Sequence, residues 1–246
     1  MLSAFSGGAL FGERHGEAPL KVLFLHGWGR THHDYDAVVA ELDVPSIALD
    51  LPGFGATPEP PQRWTSQDFA RAVAPILGES TDPIVVVGHS HGGRVAAELC
   101  AMAPERIAAL VFICAPLIRK ANTAKPSLRY RLLRWLNAKG WYSDERMERL
   151  RQSRGSSDYR NASGVMRETM VTVVNESFEE QLATITCPVR MVWGELDADV
   201  PVRVAHEAAA VLGSSDVAVT VVPGIGHLVP TSAPHAVVAA IREVMP

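Results

Sequence analysis

The residues best suited to covalent chemistry lie in Gly88-His89-Ser90-His91-Gly92, directly after the apolar run Ile84–Val87 and directly before an amphipathic stretch. This is a G-x-S-x-G pattern in strand–turn–helix context, in which the small neighbours let the chain turn sharply and lift the serine hydroxyl above a sheet edge. The helix that follows offers backbone N–H groups and partial positive charge to a developing oxyanion. A serine hydroxyl is a weak nucleophile at neutral pH and needs a base within hydrogen-bonding reach. Of the nine histidines, His227 is the best placed. It sits in Gly224-Ile225-Gly226-His227-Leu228, after the last apolar run and before the final helical stretch, where sites form at the carboxyl edge of a parallel sheet. The acid that orients it belongs after the run Val189–Trp193, where Glu195, Asp197 and Asp199 all supply carboxylates. These residues in this order suit nucleophilic acyl transfer. A phosphate- or dinucleotide-binding loop fits less well, because neither G-x-G-x-x-G nor a glycine–lysine–serine/threonine ending occurs.

The elements that hold these residues are legible as short apolar runs ending in turn residues: Val22–Leu25, Ser46–Leu49, Ile84–Val87, Leu110–Cys114, Val189–Trp193 and Val217–Val222. Continuous apolarity predicts strands covered on both faces, as in a parallel sheet between helices. Leu10–Glu13 reads as an antiparallel edge strand. Helices are predicted over His91–Ala103 (Val95, Leu99 and Met102 on one face), Val202–Leu212 and His235–Met245. The alternation defines a doubly wound α/β fold with a mostly parallel sheet. It breaks between Leu117 and Thr186. There Leu128, Leu132 and Trp135 form one helical stripe and Val165, Met166, Thr169, Met170, Val173 and Val174 another, with Ser177 and Glu180 as a capping box for a third helix. Residues 1–116 and 187–246 are therefore expected to form the core, and 117–186 a helical cap inserted in it.

The composition, 47% hydrophobic and 20% charged, excludes wholesale disorder, and a net charge of -4 gives no sign of a nucleic-acid partner. No run of about eighteen apolar residues predicts a membrane span. The start lacks the basic and apolar regions of a secretory signal. Cys100, Cys114 and Cys187 are odd in number and scattered, which suits reduced thiols and a cytoplasmic location.

Taken together, the chain resembles the α/β-hydrolase family along essentially its whole length. His26-Gly27-Trp28-Gly29 follows the first strong strand, where that family places its oxyanion loop, and Asp50-Leu51-Pro52-Gly53-Phe54-Gly55 resembles its D-x-P-G-x-G turn. The resemblance implies a serine hydrolase with Ser90 as nucleophile, His227 as base and Asp197, from the family's G-x-x-D turn, as orienting acid; Asp199 is second choice, with a capping role near Pro201 as its alternative. It also implies oxyanion donors at the backbone N–H groups of Trp28 and His91, and no cofactor. Of the other histidines, His26 is expected to brace the oxyanion loop, and His15, His32, His33, His206 and His235 to lie on the surface. A metal site from His26, His32 and His33 lacks a recognisable ligand spacing.

The expected reaction is hydrolysis of a carboxylic ester of a small or medium acyl substrate. Thioester hydrolysis, carbon–carbon bond hydrolysis or lyase chemistry, a perhydrolase or haloperoxidase-like side activity, and a non-catalytic sensor all remain compatible with the same fold. Epoxide hydrolases and haloalkane dehalogenases of this fold would carry Asp where Ser90 stands. In the expected cap, between Arg119 and Arg167, lysines and arginines far outnumber acids, most densely at Arg119, Lys120, Lys125, Arg129, Arg131 and Arg134. A solvated helix face accounts for such a run; an anionic or carrier-bound substrate would give it a steering role. Trp135, Trp141, Val165, Met166 and Met170 are expected at the seam between cap and core or in an acyl pocket.

Overall fold

A computed structural model describes residues 1–119, 128–143, 145–147 and 157–245. Eight strands make one sheet: β1 (Leu2–Phe5), β2 (Leu10–His15), β3 (Val22–Leu25), β4 (Ser46–Asp50), β5 (Ile84–His89), β6 (Ile107–Ile113), β7 (Val189–Gly194) and β8 (Val217–Val222). Their order is β1-β2-β4-β3-β5-β6-β7-β8. β1–β2 and β2–β4 pair antiparallel; every other neighbouring pair is parallel.

All six apolar runs are strands, and β3, β4 and β5 are buried at every position. Two expectations change. The Leu10 strand is not at the edge, because Leu2–Phe5 folds back on it through a hairpin in which Gly7 and Gly8 take positive φ. β8 is not covered on both faces: it is the far edge strand, and Val221 is exposed.

The helices are α1 (Asp36–Leu42), α2 (Ser66–Val73), α3 (His91–Met102), α4 (Leu128–Ala138), α5 (Ser157–Asn161), α6 (Gly164–Val173), α7 (Glu179–Thr184), α8 (Arg203–Ala209), α9 (Val229–Ser232) and α10 (Pro234–Arg242), with short 3-10 turns among the loops. α3 is buried all round its first ten residues, so Ala96 and Ala97 are as enclosed as Val95 and Leu99, while Met102 emerges. α2 starts with a reciprocal cap: the Asp68 N–H donates to Thr65 Oγ1 at 3.2 Å and the Thr65 N–H to Asp68 Oδ2 at 2.9 Å.

Between β6 and β7 the described elements are all helical. α6 turns Met166, Thr169, Met170 and Val173 inward, and Thr169 Oγ1 accepts from the Trp64 N–H at 3.1 Å. α4 behaves differently: Leu132 and Trp135 are exposed, and Trp135 meets Trp141, itself 74% exposed, edge to face at 5.9 Å. Among the described residues these tryptophans are exposed and are not buried against the core. The capping box at Ser177 does not form, because Ser177 Oγ accepts from the Arg119 N–H at 3.0 Å and α7 starts after Phe178 without a side-chain cap. Lys120 and Lys125 lie outside the described residues.

Candidate active site

Ser90 stands where β5 ends and α3 begins, with φ 49° and ψ -112°. Its N–H donates to Ile113 O at 2.9 Å, pinning the turn to β6, and its carbonyl accepts from the Gly93 N–H at 3.0 Å. The flanking glycines are required by close approach. A β-carbon on Gly92 would lie 2.0 Å from Leu25 O, and one on Gly88 2.5 Å from Gly92 O. Left-handed φ at a serine is strained backbone, tolerated where the surroundings over-determine it.

The parallel register sets Leu25 beside Gly88, so the loop after β3 runs past the turn. A β-carbon on Gly27 would sit 3.3 Å from Ser90 Cβ. Among the described residues, the backbone N–H groups of Trp28 and His91 have no hydrogen-bond acceptor. His26 braces this loop: its Nδ1 lies 2.7 Å from Gly27 O and its Nε2 accepts from the Leu51 N–H at 2.9 Å. That pair of contacts fixes the neutral tautomer with the proton on Nδ1. Burial brings its pKa down from 6.5 to about 4.

At the other end of the sheet, His227 Nδ1 lies 2.7 Å from Asp197 Oδ2. Asp197 Oδ1 accepts from the N–H groups of Asp199 and Val200 at 2.9 and 2.8 Å. Burial alone would raise the Asp197 carboxyl; the hydrogen bonds from His227 and the Val200 N–H outweigh it and hold the group below the usual carboxylate range. An ionised Asp197 keeps the proton on Nδ1 and leaves Nε2 without one, able to accept a proton. Asp199 is exposed and caps nothing, since α8 opens after Val202 with no side-chain cap. The two loops interlock through Gly194, where a β-carbon would meet Gly226 O at 2.1 Å.

Two neighbours were not foreseen. His89 Nε2 lies 2.9 Å from His227 O. With the proton on Nε2 it donates to that carbonyl and ties the His227 loop to the Ser90 turn; burial takes its pKa to about 4. Cys114, at φ 45°, has its sulfur with Asp197 and His227 in one group whose ligand atoms lie within 4.8 Å of each other. Burial raises its thiol pKa far above the ordinary value, so the thiol is protonated at neutral pH. Neither signal is local in sequence, since each depends on another strand's loop.

His32 is a correction: it is buried, and its Nδ1 lies 2.8 Å from Asp50 Oδ1. His33, His206 and His235 are exposed as expected, and His15 is half-buried. His91 packs edge-on against Phe69 at 4.7 Å and Trp28 at 5.3 Å, with neither ring nitrogen hydrogen-bonded. A cavity of about 510 Å³ joins these parts; Trp28, Ser90, His91, Arg94, Met170 and His227 are among its lining.

A sheet of this order with a serine turn at the end of β5 defines a class, and comparison with known proteins names it. The model of the Alpha/beta hydrolase family matches residues 22–240. The chain belongs to that family, and proteins named as esterases are among those it resembles. Esterase Rv0045c from Mycobacterium tuberculosis is 37% identical over 108 residues, 43% of this chain and 36% of that protein, so the match spans about a third of that relative. A pimeloyl-[acyl-carrier protein] methyl ester esterase from Aliivibrio salmonicida is 24% identical over 227 residues, covering 84% of this chain and 85% of that protein. Among solved structures, a thermophilic esterase from Thermogutta terrifontis with malate bound superposes with a TM-score of 0.69 at 25% identity, covering 97% of this chain and 94% of that one. Among the described residues, no helix is long and apolar enough to cross a membrane.

Proposed function

We propose that the protein hydrolyses carboxylic esters through an acyl-enzyme on Ser90. The observation that carries this reading is a strained serine sharing one cavity with a histidine whose Nδ1 is held by Asp197 at 2.7 Å. His227 Nε2 takes the Ser90 proton as the hydroxyl attacks the ester carbonyl, and the Trp28 and His91 N–H groups receive the oxyanion. His227 then protonates the leaving alcohol, and water repeats the cycle on the acyl-enzyme. The Ser90 hydroxyl has no hydrogen-bond partner among the described residues; such bonds tighten when substrate is bound. Residues 117–186 act as a cap, a role supported by Met170, Val173 and Val174 lining the cavity.

A second reading has its own support. Arg131 and Arg134 are exposed on α4, and the relative from Aliivibrio salmonicida is named for an acyl-carrier-protein ester. An acyl chain delivered by an acidic carrier would be steered by this basic face.

Initial rates on p-nitrophenyl esters of increasing acyl length, with Ser90→Ala as blank, test the proposal. Turnover that Ser90→Ala abolishes, with labelling of Ser90 by a fluorophosphonate, is the expected result. Turnover equal in both proteins sinks it.

A further inference from the structure

Arg94 lies in the first turns of α3, four residues after the nucleophile, and lines the same cavity as Ser90 and His227. It is only 8% exposed. Its Nε donates to Pro116 O at 3.3 Å, and among the described residues no carboxylate is within ion-pair distance of the guanidinium. The natural partner on its own helix, Glu98 one turn on, is diverted: Glu98 Oε1 accepts from Gln181 Nε2 at 2.9 Å. Glu176, the acid whose charge acts on Arg94, is occupied by the Ser66 N–H at 3.1 and 3.2 Å.

The rest of the cavity sharpens the contrast. Among the described residues its other guanidinium, Arg30, is neutralised by Asp34, which accepts from Arg30 Nε at 3.0 and 2.8 Å. The lining acids Asp158 and Asp199 are both exposed, whereas Arg94 is deep. Pro116, Met170, Val173 and His91 line the same cavity, and burial holds the His91 imidazole neutral. Burial also brings Arg94 down to about 10, which leaves it a cation at neutral pH. An enclosed cation without a counter-ion is costly, and a planar guanidinium matches a carboxylate through two parallel hydrogen bonds.

We propose that Arg94 binds a carboxylate of the substrate, so that the ester cleaved at Ser90 belongs to a half-ester of a dicarboxylic acid. The inference rests on ester hydrolysis at Ser90. Water adds across the acyl carbon–oxygen bond of the ester, releasing the alcohol and leaving a dicarboxylate with one proton lost to solvent. The second carboxylate takes no part in the bond changes; it anchors the acyl chain.

The test compares monomethyl glutarate with its neutral diester, dimethyl glutarate, by kcat/KM in the wild type, Arg94→Met and Arg94→Lys. The half-ester should be preferred by the wild type. Arg94→Met should lower the half-ester to diester ratio by about 30-fold, chiefly through KM, the scale of a charge-assisted hydrogen-bonded pair. Arg94→Lys, which keeps the charge without the fork, should fall between. Thermal melts of all three establish folding, and if Arg94→Met does not fold the Lys variant decides by its ratio. A ratio unmoved by either substitution overturns the inference and leaves the esterase reading standing. If no ester is hydrolysed at all, the esterase reading fails, and titration of free glutarate into Ser90→Ala, with and without Arg94→Met, still decides the binding claim. Binding that requires Arg94 supports it; no binding, or binding indifferent to Arg94, overturns it.

Discussion

The turn around Ser90 and the helices between β6 and β7 are built on opposite terms. At the turn, backbone touches backbone: Gly92 lies against Leu25 O and Gly88 against Gly92 O, and buried histidines hold the loops from two sides. In the helical segment, α6 is anchored by Thr169 and Met170, while Leu132 and Trp135 on α4 and Trp141 just after it are exposed to solvent. One region has no room to vary, which is what positioning a reacting atom demands. The other presents side chains that answer to what lies outside the fold.

Five substitutions or conditions probe this contrast. Asp197→Asn should give the largest effect, lowering kcat about 10⁴-fold with KM little changed, because the amide no longer holds His227 in the proton-on-Nδ1 form. Steady-state kinetics on a p-nitrophenyl ester check it, and a loss below tenfold would remove Asp197 from the role. Gly92→Ala comes next. Its β-carbon meets backbone rather than a yielding side chain, so urea unfolding should show a loss of about 3 kcal/mol.

Acid should act on the same tight region. His26 and His89 titrate near 4 when folded and near 6.5 when unfolded. Below 6.5 the unfolded chain binds protons that the fold refuses, so stability is complete above that value and is lost as pH falls toward 4. By about pH 5 the loss should be on the order of 2 kcal/mol per histidine, read from denaturant midpoints. His26→Gln should flatten the slope by about one proton. The smallest effect is expected at Trp141→Ser, within about 0.5 kcal/mol, since the ring is 74% exposed. A larger loss would mean that α4 is held more firmly than its exposure implies.

The same contrast decides what could be read from the sequence. The sharp turn at Ser90 was legible because its constraint is local: a serine between glycines, ending one apolar run and opening a helix. Asp197 needed a family resemblance, since three nearby carboxylates are equivalent until one of them accepts from Val200. His32 was misplaced on the surface because its partner, Asp50, comes from the end of another strand. Ser177 was misread as a cap because the competing donor, Arg119, lies 58 residues away. Arg94 carried no local mark at all. Its role depends on Glu98 being drawn away by Gln181, 83 residues further along the chain.

The residues around the cavity come from the ends of separate strands: Trp28 after β3, Ser90 after β5, Asp197 after β7 and His227 after β8. No fragment of the polypeptide shorter than most of its length contains all four. A refolding chain would therefore recover helix early and turnover last, since distant strand pairings close slowly. Regained activity would report the completed topology, which spectroscopic helix content alone would not.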